Sequence, residues 1–222
     1  MRQRHIYETS EDWKQHRKGL FTASQIHRVM SEPKSKAETL SKTLKTYVNE
    51  IVAEMVAPPE PDYYNSAMER GNEVEPQAVL AYANLKGLDV NSSDFIYTSI
   101  GGFVFFTDYD FNIGGTPDIV LADRIVEIKC PLSKTHLEYL LCESADDLKK
   151  LKPEYYAQMQ LNMYLTERYR CDFVSYDDRY YNSALQLKVI EVPFDSEYQH
   201  QMFDKVRVAY GYLQTLKTKL GI

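Results

Sequence analysis

The sequence has no apolar run approaching the roughly 18 residues a membrane-spanning helix needs. Its first residues, Met-Arg-Gln-Arg-His-Ile, lack the apolar stretch of a secretion signal. The expectation is a cytoplasmic protein with no membrane partner. Cysteine is scarce: Cys130, Cys142 and Cys171 are odd in number, far apart and never spaced Cys-x-x-Cys. That argues against a disulfide framework, a cysteine zinc site and an iron–sulfur cluster, and predicts reduced thiols in or near the core. An excess of basic residues is also missing, since the formal net charge is −6. The chain therefore does not coat nucleic acid by bulk charge, although an enzyme with acidic metal ligands and one basic groove remains compatible. No Pro/Gly/Ser linker, biased tract or repeat divides the 222 residues, of which 44% are hydrophobic. They read as a single α/β domain over residues 1–222.

What is present is concentrated at residues 114–130, Gly-Gly-Thr-Pro-Asp-Ile-Val-Leu-Ala-Asp-Arg-Ile-Val-Glu-Ile-Lys-Cys. Ile119-Val120-Leu121 and Ile125-Val126 are aliphatic runs separated by a short polar connection, the pattern of a β-hairpin. A turn centred on Ala122 and Asp123 sets Leu121 opposite Arg124, Val120 opposite Ile125, and Asp118 opposite Glu127. Opposed residues share a face with Cβ atoms about 5 Å apart, and Lys129 projects from that same face. Two carboxylates so close repel unless a cation lies between them, and a hard, oxygen-seeking ion such as Mg²⁺ meets that need, with Mn²⁺ as a substitute. Lys129 would then stand beside a metal-bound water. The plain alternative is a charged hairpin in which Lys129 pairs with Glu127 or Asp118 in solvent.

Around this hairpin, helices are expected from Ser10, as N-cap, to Gly19; from Thr22, with capping-box spacing to Gln25; across Leu40, Leu44, Tyr47, Val48, Ile51, Val52 and Met55 until Pro58, Pro59 and Pro61; and over 66–86 with Gly87 as cap. Residues 31–37 form a basic loop with Lys34 and Lys36. Strands are expected near 94–99, 103–107, 117–121, 125–130, 171–176 and 186–192. Further helices are expected at 133–143, 153–168 and about 195–220, the last with Met202, Val206, Tyr210 and Leu213 along one side.

Three other segments carry candidate chemistry. In Arg70-Gly-Asn-Glu-Val-Glu75 a glycine one helical turn before Glu75 permits close backbone approach, with Glu73 as a competing acid and a solvated acidic turn as the plain reading. Gln158 falls off the apolar stripe of Tyr156, Met159, Met163 and Tyr164, where it could orient a water or a phosphate oxygen or simply be exposed. Arg17, Thr22 and Ser24 combine a guanidinium, two hydroxyls and a helix start, the parts of a phosphate pocket. The alternative there is a helix cap beside a surface arginine.

In chain order, Arg17-Lys-Gly-Leu-Phe-Thr-Ala-Ser24, Gly71 to Glu75, Thr116-Pro-Asp118, Glu127-Ile-Lys-Cys-Pro131, Tyr156-Ala-Gln-Met-Gln160 and Tyr176-Asp-Asp-Arg179 resemble the lambda-exonuclease family, the YqaJ-type viral recombinases of the restriction-endonuclease-like superfamily. The resemblance implies a restriction-endonuclease-like core, with a mixed central sheet flanked by helices. It implies a 5′-to-3′ exonuclease on linear double-stranded DNA that releases mononucleotides and leaves a 3′ overhang for a single-strand annealing protein, working as a homotrimer. By position it implies Mg²⁺ held by Asp118, Glu127, the Ile128 carbonyl and Glu75, with Lys129 acting on the attacking water and Gln158 touching the scissile region. Arg17, Thr22 and Ser24 would bind the 5′-terminal phosphate. The Lys34/Lys36 loop does not align residue by residue, so no role carries over to it. A related restriction-like or RecB-like endonuclease is the alternative enzyme, although a RecB-like enzyme of the iron–sulfur type lacks its cysteines here. An inactive DNA-end-binding protein would not need Asp118, Glu127 and Lys129 together.

Overall fold

The computed structural model describes residues 1–35, 37–58, 66–98 and 103–222, with only the backbone at 66–68. Lys36, Pro59, Pro61 and the last residue of the strand expected at 94–99 lie outside that part. The strands are β1 (Arg2–Tyr7), β2 (Phe21–Thr22), β3 (Ile96–Tyr97), β4 (Phe103–Asp108), β5 (Ile113–Gly115), β6 (Ile119–Val120), β7 (Ile125–Lys129), β8 (Arg170–Tyr176) and β9 (Leu187–Pro193). The helices are α1 (Ser10–Arg17), α2 (Ile26–Val29), α3 (Lys42–Val56), α4 (Ser66–Lys86), α5 (Ser133–Leu140), α6 (Ala145–Leu151), α7 (Pro153–Thr166) and α8 (Ser196–Leu220).

The expected α/β class holds, with mixed sheet flanked by helices; among the described residues the strands form two mixed sheets rather than one. The first has order β1-β4-β5-β2 and the second β3-β6-β7-β8-β9. The hairpin register holds as read from the sequence: Val120 pairs with Ile125, Ile119 with Val126, and Leu121 N–H donates to the Arg124 carbonyl at 2.9 Å. β7 is the middle strand of its sheet and runs parallel to β8, a pairing that needs the long crossover α5-α6-α7.

Burial on both faces fixes where each β7 side chain goes. Val126 and Ile128 pack with Val74, Ala78, Tyr82 and Ala83 of α4, whereas Ile125 packs with Met159 of α7 and Met202 and Val206 of α8. By alternation Glu127 and Lys129 lie on the α7 face. α8 buries Met202, Val206, Ala209 and Leu213; Tyr210, expected on that stripe, is displaced from it and 36% exposed. Cys142 and Cys171 are buried and Cys130 is partly so, all three as free thiols. Among the described residues no helix is long and apolar enough to cross a membrane.

Several local expectations are corrected. Thr9, not Ser10, caps α1, its hydroxyl accepting from Asp12 N–H at 3.1 Å. Thr22 lies in β2 and makes no cap, because Phe21 and Thr22 pair with Ile113 and Gly114 and only a short 3-10 turn at Ala23–Gln25 precedes α2. The sequence reading missed β1, β2, β5 and α6.

Gly115 of β5 is packed tightly between α7 and the turn before α2. A Cβ there would stand 2.3 Å from Asn162 Oδ1 of α7 and 2.8 Å from Ala23 Cβ. Gly115→Ala is therefore expected to cost on the order of 1–3 kcal/mol through overpacking, read as a lower midpoint in urea unfolding with unchanged slope.

Candidate active site

At the C-terminal end of β7 the side chain of Glu127 is fully buried. Its Oε1 accepts from Lys129 Nζ at 2.5 Å and from Gln158 Nε2 at 2.6 Å. Its Oε2 is buried and has no hydrogen-bond partner among the described residues. A buried ionised carboxylate needs cations or donors on both oxygens, so one lobe is satisfied and the other is open to a ligand. α7 supplies two supports one turn apart on a single face: the Gln158 amide and the Tyr155 ring, over which Lys129 Nζ lies 5.1 Å from the centroid. Asp118, just before β6, accepts from Ile128 N–H at 2.5 Å through Oδ2.

Electrostatics follow from this crowding. Burial, reinforced by Asp118 and Glu75 and opposed by Lys129, pushes Glu127 up to about 7. Asp118 is raised by burial against the pull of Lys129 and the Ile128 N–H. Burial alone would lower Lys129, but Glu127 and Asp118 outweigh it and keep the ammonium charged well above its usual range. As it stands, then, Lys129 is an ammonium that can orient a water rather than a free base.

Glu75 arrives differently. It is half-buried on α4, whereas Glu73 is exposed. Its Oε1 accepts from the Tyr97 hydroxyl at 2.8 Å. Burial first, and Asp118 second, raise its pKa, so it lies within electrostatic reach of the β6–β7 carboxylates. Glu75 comes from the α4 side of the sheet, and among the described residues no three His, Cys, Asp or Glu side chains close on one point. The expected cluster is thus two carboxylates on the α7 side with a third alongside. That still suits Mg²⁺, which usually takes one or two carboxylates and completes its shell with water and substrate phosphate. The bare Glu127 Oε2 and the hard oxygen donors fit such an ion. Gly71 meets its expectation only in part, since an added Cβ would be 3.8 Å from the Cys130 carbonyl, ordinary contact.

The N-terminal cluster is assembled without the helix start first attributed to it. Thr22 N–H donates to the Tyr47 hydroxyl at 3.0 Å. Thr22 Oγ1 lies 3.5 Å from Ser24 Oγ and 3.4 Å from Tyr47 OH. The Arg17 guanidinium stacks on the Trp13 ring at 4.2 Å, and Trp13 Nε1 reaches Thr116 Oγ1 at 3.4 Å. Thr116 is two residues from Asp118, so the chain itself joins this cluster to the carboxylates. Tyr97, Tyr155, Trp13, Thr116 and Tyr47 were not singled out as site residues in the sequence; Tyr47 reads there only as a core position of α3. Lys34 is exposed. In the Tyr176–Arg179 segment, buried Asp177 accepts from Arg179 Nε at 2.7 Å and from Arg70 Nη2 at 3.2 Å, tying the end of β8 to α4.

A family model described as the YqaJ-like viral recombinase domain matches residues 12–169. The chain belongs to that family. Solved structures agree with a YqaJ-like architecture. An alkaline exonuclease, LHK-Exo from Laribacter hongkongensis, is 28% identical, with 96% of each chain covered and a TM-score of 0.73. The same enzyme in complex with dAMP is 29% identical over 96% of this chain and 98% of that one, with a TM-score of 0.68. A phage-related exonuclease from Haemophilus somnus 129PT, 21% identical over 90% of this chain and 96% of that one, shares the fold with a TM-score of 0.66. No curated protein matches the chain by sequence.

In this YqaJ-like domain Glu127 holds its proton more tightly when folded than its ordinary value of 4.5. The unfolded chain therefore ionises first, and stability drains as pH rises from about 4.5 to about 7. In chelator, thermal melts are expected to show that decline in the wild type. Glu127→Gln, which cannot ionise and can still accept from Lys129 and Gln158, should make it shallower, the raised Asp118 and Glu75 carboxyls accounting for the part that remains.

Proposed function

We propose that this chain is a Mg²⁺-dependent nuclease that digests linear double-stranded DNA from its 5′ ends, releases mononucleotides and leaves 3′ single strands for an annealing protein. The observation that carries the reading is the Glu127 carboxylate, capped on one oxygen by Lys129 and Gln158 and bare on the other inside the protein. Membership of the YqaJ-like family and the likeness to alkaline exonucleases, one of them holding the mononucleotide dAMP, support it. Cytoplasmic location, expected from the sequence, and a homotrimeric ring, implied by the resemblance, remain part of the proposal.

Asp118, the open oxygen of Glu127 and the Ile128 carbonyl would hold the ion, with Glu75 adding charge beside Asp118. When bound, Mg²⁺ supplies charge neutralisation at the phosphate and a more acidic water, and Mn²⁺ would substitute. The chain does the rest. Lys129, fixed between Glu127 and the Tyr155 ring, orients a water by donating to it and offsets charge developing on the phosphate. Gln158 keeps the Glu127 oxygens from rotating. Arg17, held flat by Trp13, would fork onto a terminal phosphate, with Thr22 and Ser24 donating hydroxyls.

Lys129→Ala is expected to abolish Mg²⁺-dependent digestion while the circular-dichroism spectrum stays native; undiminished digestion by a folded variant would remove the role given to Lys129. Linear duplexes with 5′-phosphate, 5′-hydroxyl and blocked ends test polarity and the Arg17 cluster together. The expected order is phosphate fastest and blocked ends slowest, with covalently closed circles untouched. Cleavage of the circle would make the enzyme an endonuclease instead.

A further inference from the structure

Tyr97 belongs to no motif in the sequence, yet it governs the one acid that reaches the site from the α4 side. β3 is an edge strand two residues long, paired antiparallel with β6 so that Tyr97 is opposite Ile119, the residue after Asp118. Beyond this pair, Thr98 N–H donates to the Asp118 carbonyl at 3.0 Å and Thr98 Oγ1 to the Pro117 carbonyl at 2.7 Å. The backbone that carries Tyr97 is thus pinned to the backbone that carries Asp118. The Tyr97 ring packs with the α4-side cluster, and its hydroxyl donates to Glu75 Oε1 at 2.8 Å. The hydroxyl keeps its proton, since burial and the neighbouring Glu75 hold it well above the usual tyrosine range. It therefore acts as a constant donor.

We propose that Tyr97 is a positioning residue that ties Glu75 to the Asp118 backbone, holding the third carboxylate at the edge of the metal site. The inference deepens the metal-dependent reading above and rests on it. Without the hydroxyl, Glu75 remains on α4 but is free to turn toward solvent, where it no longer adds its charge beside Asp118. Losing the donor to a charged group that stands beside the ion is expected to weaken cation binding roughly tenfold.

The test compares Tyr97→Phe, Glu75→Ala and the double variant with wild type. Mn²⁺ binding to the DNA-free protein is followed by electron paramagnetic resonance, the Mg²⁺ dependence of digestion is measured, and melting temperatures are taken in chelator. Tyr97→Phe should weaken Mn²⁺ binding about tenfold, and raise the Mg²⁺ concentration for half-maximal digestion in parallel, with little change in the chelator melt. Added to Glu75→Ala it should have no further effect, because its only route is through Glu75. Wild-type Mn²⁺ affinity in Tyr97→Phe, or an equal effect of Tyr97→Phe with and without Glu75, overturns the proposal. A wild type that neither binds Mn²⁺ nor digests DNA overturns the metal-dependent reading itself, and the role of Tyr97 with it.

Discussion

A carboxylate sealed inside a protein must shed its charge or gather partners for both oxygens, and Glu127 gathers them for one only. The rest of the structure can be understood as what that half-satisfied group requires. β7 must be the middle strand so that Glu127 is buried; α7 must cross that face so that Gln158 and Tyr155 fix Glu127 and Lys129; and the β6–β7 turn must be tight so that Asp118 comes back beside them. Each requirement is met by backbone pairing or by a helix packed on apolar residues rather than by a surface loop.

The two faces of the sheet divide the work. On the α7 side are the groups proposed to hold the ion and orient water. On the α4 side, Glu75 and the Arg70–Asp177 pair sit beside the strand ends and couple α4 to β8. Thr116 and Trp13 link the carboxylates to Arg17, so that a proposed end-recognition cluster and a proposed reaction centre share one short stretch of chain. Between them lies Gly115, with Asn162 and Ala23 packed against its missing side chain. The proposed reaction centre and the proposed end-recognition cluster therefore lie next to each other along the chain, with a tightly packed glycine close to both.

Much of the second sheet was legible because its strands are aliphatic and its turn is short: the hairpin register follows from Val120, Leu121, Ile125 and Val126 alone. β1 was not legible, since Arg2-Gln-Arg-His-Ile-Tyr7 opens with four polar residues, has no apolar alternation and is only partly buried. β2 and β5 are two and three residues long, and the tertiary pairing of Phe21 with Ile113 overrides the capping pattern at Thr22. In the site, Asp118, Glu127 and Lys129 could be placed by alternation because they ride on strands of one hairpin. Gln158 could be suspected only as a polar residue off an apolar stripe. Thr116 stood in the Thr116-Pro-Asp118 segment without a role of its own, and Tyr97, Tyr155 and Trp13 could not be found as site residues, because their contacts are long-range and their residue types are ordinary in a core or a turn.

The account stands on one atom, the unpartnered Glu127 Oε2, being a metal ligand. Crystals grown with Mn²⁺ and measured for anomalous scattering test that most directly. An anomalous peak about 2.1 Å from Glu127 Oε2 and within the same bonding distance of Asp118 is the predicted result, that being the span of an oxygen–cation bond at such a site. A peak elsewhere, or an Oε2 that hydrogen-bonds only to protein and water at saturating Mn²⁺, would contradict it.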